Sequence, residues 1–231
     1  MSKVDESKII FFTGAPGSKW SAAAHLIAQN KKYPINISDY SNDRMYYHQN
    51  VKVAHLGAYW GPGNNLGENF HEINTLSKEE ILSEIDAPYT DKSWEKYRIV
   101  KCHQFSLNLN FIKETFPLSK IVIVIRPDIH CYHGWVGAGG FDKITYPNYS
   151  KYYQNKELLK IKIEEENIHT KEFIYNNDLD LHVVRESYWK NYWNLTRDNE
   201  EIDRYMRSIE MRQTETTKIW NFDTLIAHYN F

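Results

Sequence analysis

Cysteine is scarce in this sequence, which has only Cys102 and Cys131 and no C-x-x-C pair. This scarcity argues against a disulfide framework or a zinc knuckle, and it fits a reducing compartment. No apolar run approaches the roughly 18 residues of a membrane-spanning helix, and the polar start "MSKVDESK" is unlike a signal peptide. We therefore expect a cytoplasmic protein that neither crosses nor enters a membrane.

Net charge is also nearly absent, because 28 basic residues balance 30 acidic ones to give a formal charge of -2. This balance provides no global attraction to nucleic acid or to an anionic membrane, although a local basic pocket remains compatible with it. Aromatic residues are plentiful at 15% of the chain, so we expect an aromatic core and an aromatic wall to any pocket.

The 231 residues suffice for one domain, and the apolar patterns alternate between strand and helix. "KIIFFT" (8–13), "YRIVKCH" (97–103) and "KIVIVI" (120–125) predict strands, and the last is apolar on both faces, as a central parallel strand is. Helices are predicted at 20–30, from Ser77 onward by capping-box spacing to Glu80, and over "SLNLNFIKETF". Residues 31–75 read as mostly irregular, and the chain from about Lys151 to its end reads as helical.

These patterns predict a three-layer α/β/α domain with a central parallel sheet, like that of P-loop NTPases, and a helical C-terminal part. The whole chain, 1–231, forms one domain in this interpretation. Residues 1–140 make the α/β core that binds the ligand, and residues 141–231 make the mainly helical remainder.

The segment "GAPGSKWS" follows the first strand and opens the first helix. A glycine-rich turn in that position directs backbone N–H groups and the helix dipole at one point, which suits an anion. Its candidate ligands are Gly14, Ala15, Pro16, Gly17, Ser18, Lys19, Trp20 and Ser21. The alternative is an ordinary strand-to-helix turn that happens to contain glycines.

Arg126 stands at the end of "KIVIVI", where a magnesium-dependent P-loop kinase usually has an aspartate. Trp20 likewise occupies the place of the hydroxyl that would follow the loop lysine. An arginine binds an anion directly, without metal, so the sheet presents two cationic sites and suits a ligand with two phosphate-type groups.

Three segments resemble the P-loop sulfotransferases, which use 3′-phosphoadenosine 5′-phosphosulfate as donor. "GAPGSKWS" is similar to the family's 5′-phosphosulfate loop, G-x-P-[RK]-S-G-T-[ST]. "RIVKCHQF" is similar to its R-x-[IV]-K-[TS]-H-L-P strand, and "KIVIVIRPDIHCYHGW" to its 3′-phosphate segment, K-[IV]-[IV]-Y-V-x-R-[ND]-P-x-D-x-x-x-S. The three occur in the family's order and cover about the first 140 residues.

The resemblance implies a sulfotransferase that transfers a sulfuryl group to an acceptor hydroxyl or amine and releases adenosine 3′,5′-bisphosphate. It implies His103 as the base, with Lys101 and Lys19 on the sulfate or leaving-group oxygens. Alternation along an extended chain also puts Lys101 and His103 on the same side of it. The ordinary histidine pKa of about 6.5 suits a general base at neutral pH. The alternative is a structural role for both residues, with His103 hydrogen-bonded at the end of its strand and Lys101 at the edge of the sheet.

The chain departs from the family at several positions. Gly17 replaces the basic residue after the proline. The family's serine falls near His133 or Gly134, and His133 becomes a candidate donor ligand. The family's C-terminal R-K-G-x-x-G-x-[WK] segment is missing, so an arginine of the C-terminal region would have to compensate for it. The candidates are Arg197, Arg204, Arg207 and Arg212.

Other patterns favour structural interpretations. His130 and His133 have helical spacing, but two histidines without a nearby carboxylate or cysteine are weak evidence for a metal, and we expect none. "IEEEN" (163–167) is typical of a solvated helix face. The aromatic run 186–195, with Tyr188 and Tyr192 at helical spacing, is typical of core packing or of an acceptor wall.

The acceptor stays open among a small molecule, a carbohydrate and a protein. A divergent P-loop nucleotide kinase, a non-catalytic nucleotide-binding relative and an interaction domain also remain as alternatives.

Overall fold

The computed structural model describes residues 4–20, 23, 24, 27, 32–39, 46–48, 51–53, 56–60, 73–137, 141, 152–185 and 223–230. The strands are β1 (Ile9–Gly14), β2 (Tyr46–His48), β3 (Val51–Val53), β4 (Ala58–Tyr59), β5 (Arg98–Lys101), β6 (Lys120–Ile125), β7 (Leu181–Arg185) and β8 (Asp223–Tyr229). The α-helices are α1 (Lys78–Asp86), α2 (Leu109–Thr115), α3 (Asp128–Gly137) and α4 (Lys156–Asn176), and 3-10 turns occur at Glu6–Lys8, Ile73–Thr75 and His103–Asn108. Residues 20, 23, 24 and 27 are also helical.

A mixed six-stranded sheet organises the fold, in the order β4-β5-β1-β6-β8-β7. The first four of these strands run parallel, with Phe12 paired to Lys101 on one side of β1 and Gly14 paired to Val124 on the other. β8 lies antiparallel to both β6 and β7. The predicted α/β class is therefore right, but the sheet is parallel only in its first four strands.

The C-terminal part differs from the prediction, because β7 and β8 are strands that complete the main sheet rather than helices. Within 31–75, which reads as mostly irregular, β2 and β3 form a two-stranded antiparallel pair and β4 joins the main sheet. "DTLIAHY" at β8 is a short, mixed run, and its strand state comes from pairing along β6 at five positions rather than from its own pattern.

Helices pack on both faces of the sheet, because side chains of β1 and β6 alternate between two apolar clusters. Phe12 and Val122 belong to a cluster with Ala24 and with residues of α3. Phe11 and Ile121 belong to a second cluster, with residues of α1 and α2. α1 begins with the predicted capping box, in which Ser77 N donates to Glu80 Oε2 at 2.8 Å.

The helix α4 passes from one face of the sheet to the other. Leu159 and Ile163 pack in the first cluster, and Phe173 and Ile174 pack in the second. Between them, Asn167 Nδ2 donates to the carbonyl of Arg126, directly after β6. The middle of α4 therefore crosses the carboxyl edge of the parallel strands.

Candidate active site

The predicted site residues converge at the carboxyl ends of β1, β5 and β6. Gly14 ends β1, Lys101 ends β5 and Arg126 follows β6. The chain leaves β1 toward β4 and leaves β6 toward the opposite edge, where β7 and β8 lie. Ligand crevices of open α/β sheets form at such a switch point, outside the carboxyl ends of the strands.

The loop after β1 folds into a tight turn in which Ser18 N donates to the carbonyl of Ala15 at 3.0 Å. Gly17 and Lys19 both have left-handed backbone conformations, with φ of 79° and 71°. Lys19 occupies the position where the quoted family motif has glycine, so a residue with a Cβ takes the conformation that glycine adopts most readily. Helical bonding then begins, with Ala23 N donating to the carbonyl of Lys19 at 3.2 Å.

Ser18 provides a further polar group inside this loop. Its side chain is fully buried, and its hydroxyl makes no hydrogen bond to any residue that the structure describes. A Cβ added at Gly14 would come within 2.7 Å of Ser18 Oγ, so the hydroxyl lies against the start of the loop. A buried, unsatisfied hydroxyl is costly, and a bound anion oxygen would satisfy it.

Gly17 packs directly on the backbone of α3. A Cβ at this position would stand 2.1 Å from the carbonyl oxygen of Cys131 and 2.7 Å from the amide nitrogen of Trp135. Gly134 makes the approach possible from the other side, since a Cβ there would lie 3.0 Å from the carbonyl oxygen of Gly17. The loop is therefore seated on α3 through two glycines.

Arg126 holds this arrangement in place. Its Nη1 donates to the carbonyl of Gly17 at 2.9 Å and to the carbonyl of His130 at 3.3 Å. The side chain is buried, and loss of solvation lowers the pKa of its guanidinium, against the opposing influence of Cys131. The sequence predicts that Arg126 binds an anion directly. In the structure its Nη1 is bonded to the backbone, so it anchors the loop of residues 14–19, called the anion loop below after that prediction.

His103 lies under the loop. Its Nδ1 is 2.5 Å from the carbonyl oxygen of Gly14, and its ring lies flat on Trp20 with 3.9 Å between centroids. Burial lowers the pKa of the imidazole to about 4, the Gly14 carbonyl opposes that change, and the positive charge of Lys101 adds to it. A neutral ring that donates Nδ1–H to a carbonyl carries its lone pair on Nε2, the atom a general base would use.

Lys101 also lies near Trp20. Its side chain is fully buried, and Nζ is 4.5 Å from the centroid of the Tyr59 ring and 5.9 Å from that of Trp20. An ammonium group over aromatic faces is stabilised by the ring quadrupole. The two side chains that alternation predicts on one side of the chain, Lys101 and His103, thus both lie near Trp20, and His103 stacks on it.

Positive charge also gathers at the start of α3. The pKa of His130 is lowered to about 4, chiefly by burial, with smaller contributions from the charges of Arg126, His133 and Lys19. An anion bound beside these groups would offset that effect. In the part of the chain that the structure describes, no three His, Cys, Asp or Glu side chains group as metal ligands.

Sequence reasoning missed Glu166 and Asn167, which lie in the "IEEEN" segment. Both are buried where α4 crosses the sheet edge, so the prediction of a solvated face is wrong for these two. Asn167 Nδ2 donates to Asp128 Oδ1 at 2.6 Å, and Tyr153 donates to Glu166 Oε1 at 3.2 Å. Burial is the main reason that the pKa of Glu166 rises to about 8, although the bond from Tyr153 opposes it.

The signal for Glu166 was present in the sequence. Leu159, Ile163, Glu166, Thr170 and Phe173 follow the helical spacing of one face, and all five are buried. A carboxyl group in the middle of such a stripe is expected to be buried with the apolar residues on either side of it. The charges around it in sequence obscured this pattern.

Several candidates lie outside the described residues. They are Ser21, the aromatic run 186–195, the glycines at 139 and 140 and the arginines at 197, 204, 207 and 212.

No family model, curated protein or solved structure was found to match this chain. Among the residues that the structure describes, no helix is both long enough and apolar enough to span a bilayer.

Proposed function

We propose that this chain is a sulfotransferase with a P-loop NTPase-like fold, which moves a sulfuryl group from 3′-phosphoadenosine 5′-phosphosulfate to an acceptor hydroxyl or amine. The observation that carries the proposal is the meeting of an anion loop, a lysine–histidine pair and an arginine at one sheet edge. In that arrangement Arg126 takes the place of the aspartate that a magnesium-dependent kinase needs.

The donor's phosphosulfate group would be bound by the loop from Gly14 to Lys19. The loop offers backbone N–H groups at a helix start, the buried hydroxyl of Ser18 and the charge of Lys19. Arg126 and His133, which both act on His130, would supply positive charge for the second phosphate. This set of groups fits a ligand with two anionic centres and needs no metal.

The chemistry requires a new bond from the acceptor oxygen to sulfur and the breaking of the bond from sulfur to the phosphate oxygen. His103 would take the acceptor proton on Nε2, because the carbonyl of Gly14 holds its other nitrogen as the donor. The ammonium groups of Lys101 and Lys19 would offset the negative charge that develops on the departing oxygen. A pKa of about 4 is low for a base, and a bound anion nearby would raise it.

One alternative has an observation in its favour. His103 is only 5% exposed, and one face of its ring is covered by Trp20. This burial suits a non-catalytic protein that binds the nucleotide but does not transfer its sulfuryl group. Binding and catalysis must therefore be tested separately.

The binding test compares adenosine 3′,5′-bisphosphate, without metal, with ATP plus magnesium in a thermal-unfolding assay. A ligand at 100 times its dissociation constant stabilises the fold by about 2.7 kcal/mol. We expect that stabilisation from the bisphosphate. A shift from ATP and magnesium with none from the bisphosphate would refute the proposal in favour of a divergent kinase.

The catalytic test follows labelled sulfate from the donor to a panel of sugars, phenols and peptides. His103→Ala should lower turnover by about 10²–10⁴-fold while leaving bisphosphate affinity nearly unchanged. Lys160→Ala, at an exposed position of α4 that lines neither the loop nor any described pocket, is the control and should keep parental turnover. Binding with no turnover in the parent chain would identify the non-catalytic alternative.

A further inference from the structure

A polar cleft lies apart from the anion loop, beside the second half of α4. It has a volume of about 240 Å³ and is bounded by the 3-10 turn Ile73–Thr75, by the segment 106–111 and by α4 residues 169–176. Pockets that bind drug-sized ligands usually have volumes of about 300 Å³ or more. The cleft therefore suits a small ligand, or one ring of a longer one.

Four asparagines line the cleft: Asn74, Asn108, Asn110 and Asn176. The amide of Asn108 donates to the carbonyl of Gln104 at 3.3 Å. The other three amides make no hydrogen bond to the residues that the structure describes, and they are exposed to the cleft. Each amide offers two donors and one acceptor, so together they can bind a ligand that both donates and accepts.

The charges around the cleft narrow the ligand class. No lysine or arginine is among the residues that line it, whereas Glu172 is, with His169 Nδ1 at 3.9 Å from its carboxylate. A carboxylate without a strong cation disfavours a phosphorylated or sulfated ligand. The mostly polar lining likewise disfavours an apolar ligand, which needs a hydrophobic pocket.

One wall of the cleft is apolar. Leu107 and Phe111 line it, and both are partly buried. A saccharide ring has hydroxyl groups at its rim and C–H groups on its faces. It can therefore satisfy amides and a carboxylate at its edge while one face covers an aromatic ring.

We propose that this cleft binds a neutral saccharide, as a single sugar or as one unit of a longer chain. The site is separate from the anion loop, and the proposal does not depend on the sulfotransferase assignment. The two sites are nevertheless neighbours, because Ser106 lines the cleft and its hydroxyl donates to the carbonyl of His103 at 2.7 Å.

The test titrates the full chain with glucose, galactose, mannose, N-acetylglucosamine and their disaccharides, using calorimetry and saturation-transfer NMR. Glucose 6-sulfate is the charged comparison. We expect at least one neutral sugar to bind, more tightly than the sulfated one. No binding at millimolar sugar, or tighter binding of the sulfated sugar, would overturn the proposal.

Variants then locate the binding. Asn110→Leu combined with Asn176→Leu replaces two exposed amides, so the fold should persist, and the dissociation constant should rise at least tenfold. Glu164→Leu, on α4 but outside the cleft, should leave it unchanged. Unaltered sugar affinity in the double variant would place the binding elsewhere. Bisphosphate affinity, measured on the same proteins, should not change, which separates this result from that of the sulfotransferase test.

Discussion

The indole of Trp20 and the imidazole of His103 are stacked, with 3.9 Å between ring centroids and 22° between planes. Trp20 is the first helical residue after the anion loop, and His103 follows β5, so this contact joins the loop to the neighbouring strand. It keeps water from the imidazole and contributes to the burial that lowers the histidine pKa to about 4.

Replacing Trp20 tests this shielding. In Trp20→Ala, water reaches the ring, and we expect the His103 pKa to rise from about 4 toward the ordinary value near about 6.5. NMR titration of the imidazole resonances measures the change, on protein shown by circular dichroism to be folded. Trp20→Phe keeps an aromatic cover and should keep the low pKa. An unchanged pKa in the alanine variant would show that other groups bury the histidine.

The sequence predicted the strands β1, β5 and β6 well. β6 is apolar on both faces and β1 is almost wholly apolar, as buried parallel strands are, whereas β5 has only two apolar residues between Arg98 and Lys101. The sequence also predicted which residues gather at their carboxyl ends, because parallel strands bring their ends to one edge. β8 was missed because its partner β6 lies about 100 residues away in the sequence, and local propensity does not report such pairing.

Two features of the site could not be read from residue types. The anchoring of Gly17 by Arg126 depends on the contact between the loop and α3, so the sequence revealed the cation but not its carbonyl partners. Helical spacing places Glu166 in the buried stripe of α4, but its hydrogen-bond partner, Tyr153, depends on how α4 packs at the sheet edge. Both depend on how elements pack rather than on how they form.

Lys19→Gly separates the charge of the loop lysine from its backbone strain. A left-handed conformation costs a residue with a Cβ about 1–2 kcal/mol, so glycine should raise the free energy of unfolding by about 1 kcal/mol. The same change removes a cation from the anion site, and a hydrogen bond to a charged group contributes about 1.5–3 kcal/mol. We therefore expect higher stability in urea together with at least tenfold weaker binding of the bisphosphate.

Gln154→Gly is the matched control for that variant. Gln154 is exposed and also left-handed, with φ of 50°. Its replacement should raise stability similarly and leave bisphosphate affinity unchanged. If Lys19→Gly behaves like this control in both measurements, the Lys19 charge does not contribute to the site.

Gly17→Ala tests the seating of the loop on α3. The added methyl group would stand 2.1 Å from the carbonyl oxygen of Cys131 and would also occupy a left-handed position, so the loop must move. We expect a loss of at least about 2 kcal/mol of stability, since overpacking alone costs about 1–3 kcal/mol and the conformation adds to it. Gly137→Ala, where a Cβ meets nothing within 4 Å, should change stability by less than about 1 kcal/mol. Equal effects at the two glycines would contradict the close approach.

Glu166→Gln tests the buried carboxyl through the pH dependence of stability. Its pKa in the folded chain is about 8, above the ordinary value of 4.5, so the folded state retains a proton that the unfolded state has lost between these two values. Stability must therefore fall as the pH rises from about 4.5 to about 8, and each pKa unit corresponds to about 1.4 kcal/mol. Glutamine has no proton to lose, so the variant should be more stable than the parent at pH 8 and should lose part of this dependence.

The measurement is urea unfolding at several pH values for the parent and the variant, with Glu164→Gln as the control. Glu164 lies on the same helix but is exposed, so its replacement should leave the pH profile of the parent unchanged. His103 and His130, whose pKa values are lowered, act in the opposite sense. They reduce stability as the pH falls below about 6.5, so the effect of Glu166 is read most directly between pH 6.5 and 8. A Glu166→Gln profile parallel to that of the parent across this window would show that the carboxyl is already ionised in the folded chain, and that burial does not raise its pKa.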